Sequence, residues 1–209
     1  MTAPRAVPRP GPPAISEAAK ARLDVFVALL QKWNKAINLV SAPSLANAWD
    51  RHVLDSAQLA AFLRDDIRIW ADFGSGGGLP GVVVAAIAAD DFPMLKFVLV
   101  ESDQRKAAFL QTVSRETGLS FEVVCQRLEA VPPLEADIVS ARALAPLDKL
   151  CAAADRHLGP DGKAIFLKGS RADEEVSVAR INWSFDLKVH RSGVEPAGSI
   201  LEVSNLQHV

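Results

Sequence analysis

At 209 residues, 49% hydrophobic and 23% charged, the chain has the composition of an ordinary globular protein with material for one sizeable core. Its formal net charge of −2 supplies no global field that would draw it to nucleic acid, so any RNA contact has to come from a local patch. Two cysteines and four histidines exclude a disulfide framework and give no metal-ligand spacing, and no apolar run approaches the roughly 18 residues of a spanning helix.

Pro4, Pro8, Pro10, Pro12 and Pro13, with Arg5 and Arg9, predict a disordered, slightly basic tail over residues 1–14. A single domain is expected over 15–209, with a helical cap at 15–65 and the core at 66–209. Ser16 caps a helix running to about Trp33, with Leu23, Phe26, Val27 and Leu30 on one stripe. Asn34 and Asn38 read as turn or cap residues. His52 and Asp55 lie one helical turn apart and face the same way, too few for a metal site.

Ile67–Phe73 is β-prone and runs into four glycines within five residues, Gly74, Gly76, Gly77 and Gly78, before the apolar run Val82–Ala89. Such a strand, turn and helix let a ligand lie against bare backbone amides at the positive end of a helix. A phosphate-binding P-loop is excluded, because Leu79-Pro80 stands where Lys and a hydroxyl residue are needed. Gly76-Gly77-Gly78-Leu79-Pro80-Gly81 is a formal dinucleotide match. Asp72 argues against it, since a carboxylate at the strand end suits a cationic ligand and repels a pyrophosphate.

Lys96–Val100 is a second strand ending at Glu101, where a carboxylate can accept ribose hydroxyls. Asp103 caps the next helix, Gly118 stops it, and Phe121–Val124 is a third strand. Ala136–Ser140 is a fourth, delivering Ala141-Arg142-Ala143 to the site edge. A helix over Ala145–His157 ends at Gly159-Pro160-Asp161-Gly162, and Lys163–Leu167 is a fifth strand. Trp183–His190 and Ser199–Val203 form a closing hairpin, making seven strands. Cys125 and Cys151, both in apolar contexts, read as small buried side chains.

Asp72-Phe73-Gly74-Ser75-Gly76-Gly77-Gly78 resembles the first motif of class I S-adenosylmethionine-dependent methyltransferases. With Trp33-Asn34, Asn38-Leu39, Arg51-His52, Leu54-Asp55-Ser56 and Leu79-Pro80-Gly81, the chain resembles the small-subunit ribosomal RNA guanine-N7 methyltransferases, also called glucose-inhibited division protein B. The resemblance implies a Rossmann-like α/β fold, a mostly parallel seven-stranded sheet with an N-terminal helical extension. It implies S-adenosylmethionine held by Asp72, Gly74, Gly76, Gly78, Leu79, Glu101, Leu128, Glu129 and Arg142, with Leu128 and Glu129 beside the adenine. Arg142 is the expected catalytic residue; His52, Lys168 and Arg171 are expected on the RNA side, and no metal is expected.

The residues after the fourth strand bear on the chemistry. Ala141 to Leu144 offers no cysteine for carbon methylation and none of the Asn or Asp, paired prolines and aromatic of adenine amino methylation. Guanine N7 carries a free lone pair and needs only alignment and exclusion of water. Arg142 can touch the cofactor carboxylate, guanine O6 or a phosphate, but cannot donate to the attacking N7; its bland alternative is an ion pair with Asp137 or Asp148. The expectation is a cytoplasmic, monomeric enzyme acting on 16S ribosomal RNA or the small subunit, away from membranes. Methylation of a small molecule or protein on the same fold, and a nucleotide-binding module, stay open.

Overall fold

The computed structural model describes residues 14–209, so the proline-rich stretch falls outside the described residues apart from its last position. Helix α1 (Glu17–Trp33) starts where Ser16 Oγ accepts the Ala19 amide at 3.1 Å. It ends at Asn34, whose Oδ1 accepts the amides of Leu39 and Val40, both at 2.9 Å, and so turns the chain back. A short helix α2 (Ala42–Leu45) follows. The chain then winds through a π-helical turn (Trp49–Val53), α3 (Leu54–Ala57) and a 3₁₀ turn (Gln58–Phe62).

The core is one sheet of seven strands: β1 (Ile69–Phe73), β2 (Lys96–Val100), β3 (Glu122–Val124), β4 (Ala136–Arg142), β5 (Leu158–Lys168), β6 (Trp183–Arg191) and β7 (Ser199–His208). Their order is β3-β2-β1-β4-β5-β7-β6, with β7 antiparallel to both neighbours and the other pairs parallel. Helices α4 (Gly81–Ala88), α5 (Gln104–Thr117), α6 (Leu147–His157) and α7 (Ala172–Ala179) connect the strands. The direction of winding reverses between β1 and β4, and in open α/β sheets ligands bind beyond the strand ends at that point.

Alternation along β1 sorts its side chains. Trp70 belongs to the buried cluster that holds Leu23, Phe26 and Leu30 of α1 and Phe109 of α5, whereas Ala71 and Phe73 belong to the cluster with Leu147, Leu150 and Cys151 of α6. Asp72 therefore faces the same way as Trp70, toward α4. Helix α4 is buried almost all round, which accounts for its unbroken apolar sequence.

Three expectations need correction. The Gly159–Gly162 stretch does not separate helix from strand: α6 passes directly into β5, Ala136 pairs with Leu158 and Ile138 with Lys163, and the residues between bulge out. Gly162 permits this, since a Cβ there would stand 2.6 Å from the Ala136 carbonyl oxygen. The helix itself begins at Leu147, after Pro146, rather than at Ala145. Cys125 is exposed, because it follows β3 on the open edge of the sheet where no layer covers it, while Cys151 is buried and its thiol is pushed up to about 12 by burial.

Gly81 opens α4 against β1. A Cβ at this position would lie 2.8 Å from Asp72 Oδ2 and 2.9 Å from Asp72 Cβ. Gly81→Val is expected to destabilise the protein by about 2–4 kcal/mol, read from chemical denaturation.

Candidate active site

The glycine turn closes on itself through Ser75. The Ser75 amide donates to the Val100 carbonyl at 3.1 Å, its hydroxyl to the Asp72 carbonyl at 3.0 Å, and its own carbonyl accepts the Gly78 amide at 2.7 Å. Gly74, Gly76 and Gly78 have φ of 61°, 52° and 82°, a region that glycine alone enters without strain. A Cβ on Gly74 would collide with Leu144 Cδ1, so the turn and the segment after β4 press together here.

Beneath the turn lies a buried hydrogen-bonded chain. Trp70 Nε1–H donates to Ser140 Oγ at 2.9 Å, and Ser140 donates to Asp72 Oδ1 at 2.6 Å. The indole can only donate, so the direction of the chain is fixed and Asp72 is its terminal acceptor. Burial pushes the Asp72 carboxyl up to about 6, against the opposing pull of Ser140, Ser75 and the Gly81 amide. Its side chain is fully enclosed. The carboxylate thus supports the turn and the start of α4 from below instead of facing a ligand.

Glu101 works from the other side. Its Oε2 accepts the Gly76 amide and its Oε1 the Asp103 amide, both at 2.8 Å, which ties the end of β2 to the turn. A cavity of about 250 Å³ opens next to it, lined by Gly74, Val100, Ser102, Gln126, Leu128 and Glu129 among others. The 3₁₀ turn carrying Leu128 is held by His157 Nε2–H donating to the Leu128 carbonyl at 3.3 Å. Gly78 and Leu79 do not reach this cavity. A Cβ on Gly78 would meet Val82 at 2.7 Å and Phe26 at 3.2 Å, and Leu79 is buried in the core beneath the cap.

A second cavity, about 480 Å³, shares Leu144 and Ala145 with the first. Asp55, Arg142, Arg171 and Ser192 lie in its wall. Arg142 pairs with neither Asp137 nor Asp148. Asp137 Oδ2 accepts the Ile69 amide at 2.9 Å, and Asp148 Oδ1 accepts from Asn182 at 2.9 Å. The guanidinium instead donates to His52 Nδ1 at 3.2 Å and stands 3.9 Å from Asp55 Oδ2. Burial lowers its pKa from the ordinary guanidinium value while Asp55 and Asp72 oppose the shift, and it keeps its charge.

His52 is held neutral at physiological pH: burial first, then Arg142 and Arg51, bring it down to about 4. Because Arg142 can only donate, Nδ1 is the acceptor and the proton sits on Nε2, which donates to Ser44 Oγ at 2.9 Å. His52 therefore stands behind Arg142 and holds it in place. Lys168 is turned inward too. Its ammonium donates to the Ala145 carbonyl and to Glu175 Oε2, each at 2.7 Å, and its side chain is 8% exposed. Lys168→Met is expected to cost about 2–4 kcal/mol in unfolding measurements, by stranding Glu175 beside it in the wall of the second cavity.

Sequence reasoning paired Asp55 with His52 but gave it no role, and did not single out Leu144, Ser102, Gln126 or Ser192. Leu144 stands out only in the fold, as a 43% exposed apolar side chain following Ala143 at φ 52°. Ser192 lies 137 residues from Asp55, to which it donates at 3.0 Å, and no local pattern announces such a pairing.

A sheet that reverses at β1 and β4, a glycine turn on an acidic strand end, an acidic residue ending β2 and an antiparallel terminal hairpin together define a class I methyltransferase. Solved structures agree on the fold: a SAM dependent methyltransferase from Aquifex aeolicus has a TM-score of 0.61 at 12% identity, covering 85% of this chain and 97% of that one. M. jannaschii TYW2 in complex with AdoMet has a TM-score of 0.54 at 12% identity, covering 84% and 80%. The family model GidB, described as rRNA small subunit methyltransferase G, matches residues 19–198, and the chain belongs to that family. Ribosomal RNA small subunit methyltransferase G from Cereibacter sphaeroides is 48% identical over 195 residues, covering 93% of this chain and 95% of the relative. The protein of the same name from Paracoccus denitrificans is 46% identical over 188 residues, covering 90% and 95%.

S-adenosylmethionine is the cofactor that family and fold carry, and the residues present fit it. Gly74 lines the first cavity, the Gly76 backbone is open where a side chain would stand, Glu101 is a carboxylate beside it, and the cavity combines apolar Val100 and Leu128 with polar Ser102, Gln126 and Glu129.

Proposed function

We propose that this chain methylates N7 of a guanine in 16S ribosomal RNA, in the loop near the decoding centre. The observation that carries the reading is the pair of cavities meeting at Leu144 and Ala145, in a chain of the rRNA small subunit methyltransferase G family. Gly74, Leu128 and Glu129 of the first cavity, with Gly76 and Glu101 beside it, would hold the cofactor, and the acceptor base would enter the second.

Bound S-adenosylmethionine supplies a methyl group made electrophilic by its sulfonium. The chain's own residues have correspondingly little proton chemistry to perform, since N7 loses no proton on methylation. Their work is alignment and exclusion of water. Arg142, held by His52 and Asp55, can donate to guanine O6 next to the reacting atom without engaging the N7 lone pair. Arg171, in the outer wall of the second cavity, is the remaining candidate for a phosphate contact.

The reading is tested by incubating the protein with methyl-labelled S-adenosylmethionine and small subunits or 16S RNA from cells lacking the gene, with NAD titrated in parallel as a competing ligand. Label that enters RNA and disappears on RNase treatment, with no NAD binding, is the expected result. Label that survives RNase would point to a small-molecule or protein acceptor, and NAD binding in place of S-adenosylmethionine to a nucleotide-binding module.

A further inference from the structure

We propose that the second cavity is a nucleobase pocket in which Arg142 and Asp55 read the Watson–Crick edge of guanine, with Asp55 setting the preference for guanine. The inference rests on the reading of the chain as a guanine methyltransferase and adds the group that selects the base.

The two side chains stand next to each other in the cavity wall, 3.9 Å apart, one able only to donate and the other to accept. Arg142 has one N–H bonded to His52 and no other hydrogen-bond partner among the described residues. Asp55 is committed on one side only. Its Oδ1 accepts from Gln58 Nε2 and from Ser192 Oγ, each at 3.0 Å, whereas its Oδ2 makes no hydrogen bond among the described residues. Its side chain is 13% exposed, and burial raises its pKa more than Arg142 lowers it. A largely desolvated carboxylate oxygen facing a cavity calls for a donor.

The other carboxylates of the wall are less suited. Glu175 is closely paired with the Lys168 ammonium at 2.7 Å, and Glu195 sits at the exposed rim paired with Arg51 at 2.8 Å. Guanine offers an acceptor, O6, next to two donors, N1–H and the 2-amino group, which matches a guanidinium beside a carboxylate. Adenine inverts that order, with an amine where guanine has O6 and a bare ring nitrogen where it has N1–H. Bases splayed out of RNA loops are commonly read on this edge.

Asp55→Asn is an informative replacement because its orientation is dictated. Gln58 Oε1 accepts the Gly193 amide at 2.7 Å, which fixes Gln58 Nε2 as the donor toward position 55. The new amide must therefore turn its oxygen to Gln58 and present its NH₂ group to the cavity, replacing an acceptor with a donor.

The experiment compares initial methylation rates on 16S RNA carrying guanosine or inosine at the acceptor position. Inosine keeps O6, N1–H and N7 and lacks only the 2-amino group. The wild-type protein is expected to prefer guanosine by about 10- to 100-fold, and Asp55→Asn to bring the guanosine-to-inosine ratio close to one while S-adenosylmethionine affinity stays within about 2-fold. Ser192→Ala, which loosens Asp55 without altering its carboxylate, is expected to lower both rates together and keep the ratio. An Asp55→Asn protein that slows on both RNAs in equal proportion would show a purely structural role and overturn the inference while leaving the proposed function standing. Absence of transfer to RNA by the wild-type protein would overturn both.

Discussion

Asp72→Ala is expected to weaken S-adenosylmethionine binding by about 100-fold or more and to lower stability by about 2–3 kcal/mol. The buried carboxylate lines neither of the two cavities described, so the effect on binding is transmitted. Without it Ser140 loses its acceptor, the first turn of α4 loses the negative charge at its N-terminus, and the glycine turn between them loses the support that fixes its backbone amides. Isothermal titration of the cofactor, alongside urea denaturation, separates the two consequences.

Asp72→Asn adds a pH signature. The native carboxyl titrates at about 6, above its ordinary unfolded value, so the folded state binds the proton more tightly. That contribution to stability is present in full below about pH 4 and is lost as pH rises through 6, a change on the order of 3 kcal/mol. An asparagine cannot titrate. The stability of Asp72→Asn relative to wild type is therefore expected to improve between pH 4.5 and 7.5, as its cofactor affinity remains impaired; a difference that stays flat with pH would contradict the burial argument.

The second large effect belongs to Arg142. Arg142→Ala is expected to reduce kcat/KM for RNA by about 10²- to 10³-fold with a small change in S-adenosylmethionine affinity, because the side chain lines the second cavity and not the first. Arg142→Lys is expected to rescue little. A single ammonium cannot reach His52 Nδ1, stand beside Asp55 and still offer a donor to the base. The pH profile of the wild-type enzyme should show no step from His52 between pH 6 and 9, since that imidazole is already neutral there. Steady-state kinetics with each substrate varied in turn checks both expectations.

What could be read from the chain follows from how local its causes are. The strand, glycine turn and helix around Asp72 are written in adjacent residues, and the second strand ending at Glu101 matches the observed Lys96–Val100. Ser16, Asn34 and Gly118 act on their own backbone neighbourhood, so their roles were legible as well.

Lys168 was not legible, because its fate depends on Glu175 and the Ala145 carbonyl closing over it in the folded chain. Asp72 was legible as the acidic residue near the end of β1 but not in its direction. Strand alternation places it on the face of Trp70, and only the approach of Gly81 and Ser140 shows that this face is sealed. The second cavity depends on Ser192 and its neighbours returning from the terminal hairpin to meet Asp55, a pairing across most of the chain.

The proposed acceptor is guanine N7 in 16S ribosomal RNA. Its most direct test is the identity of the labelled base after complete digestion of 16S RNA methylated by the wild-type and Asp72→Ala proteins. Label in 7-methylguanine is expected from the wild-type protein, and none above background from the variant. Label in any other base, or in the ribose, would contradict it.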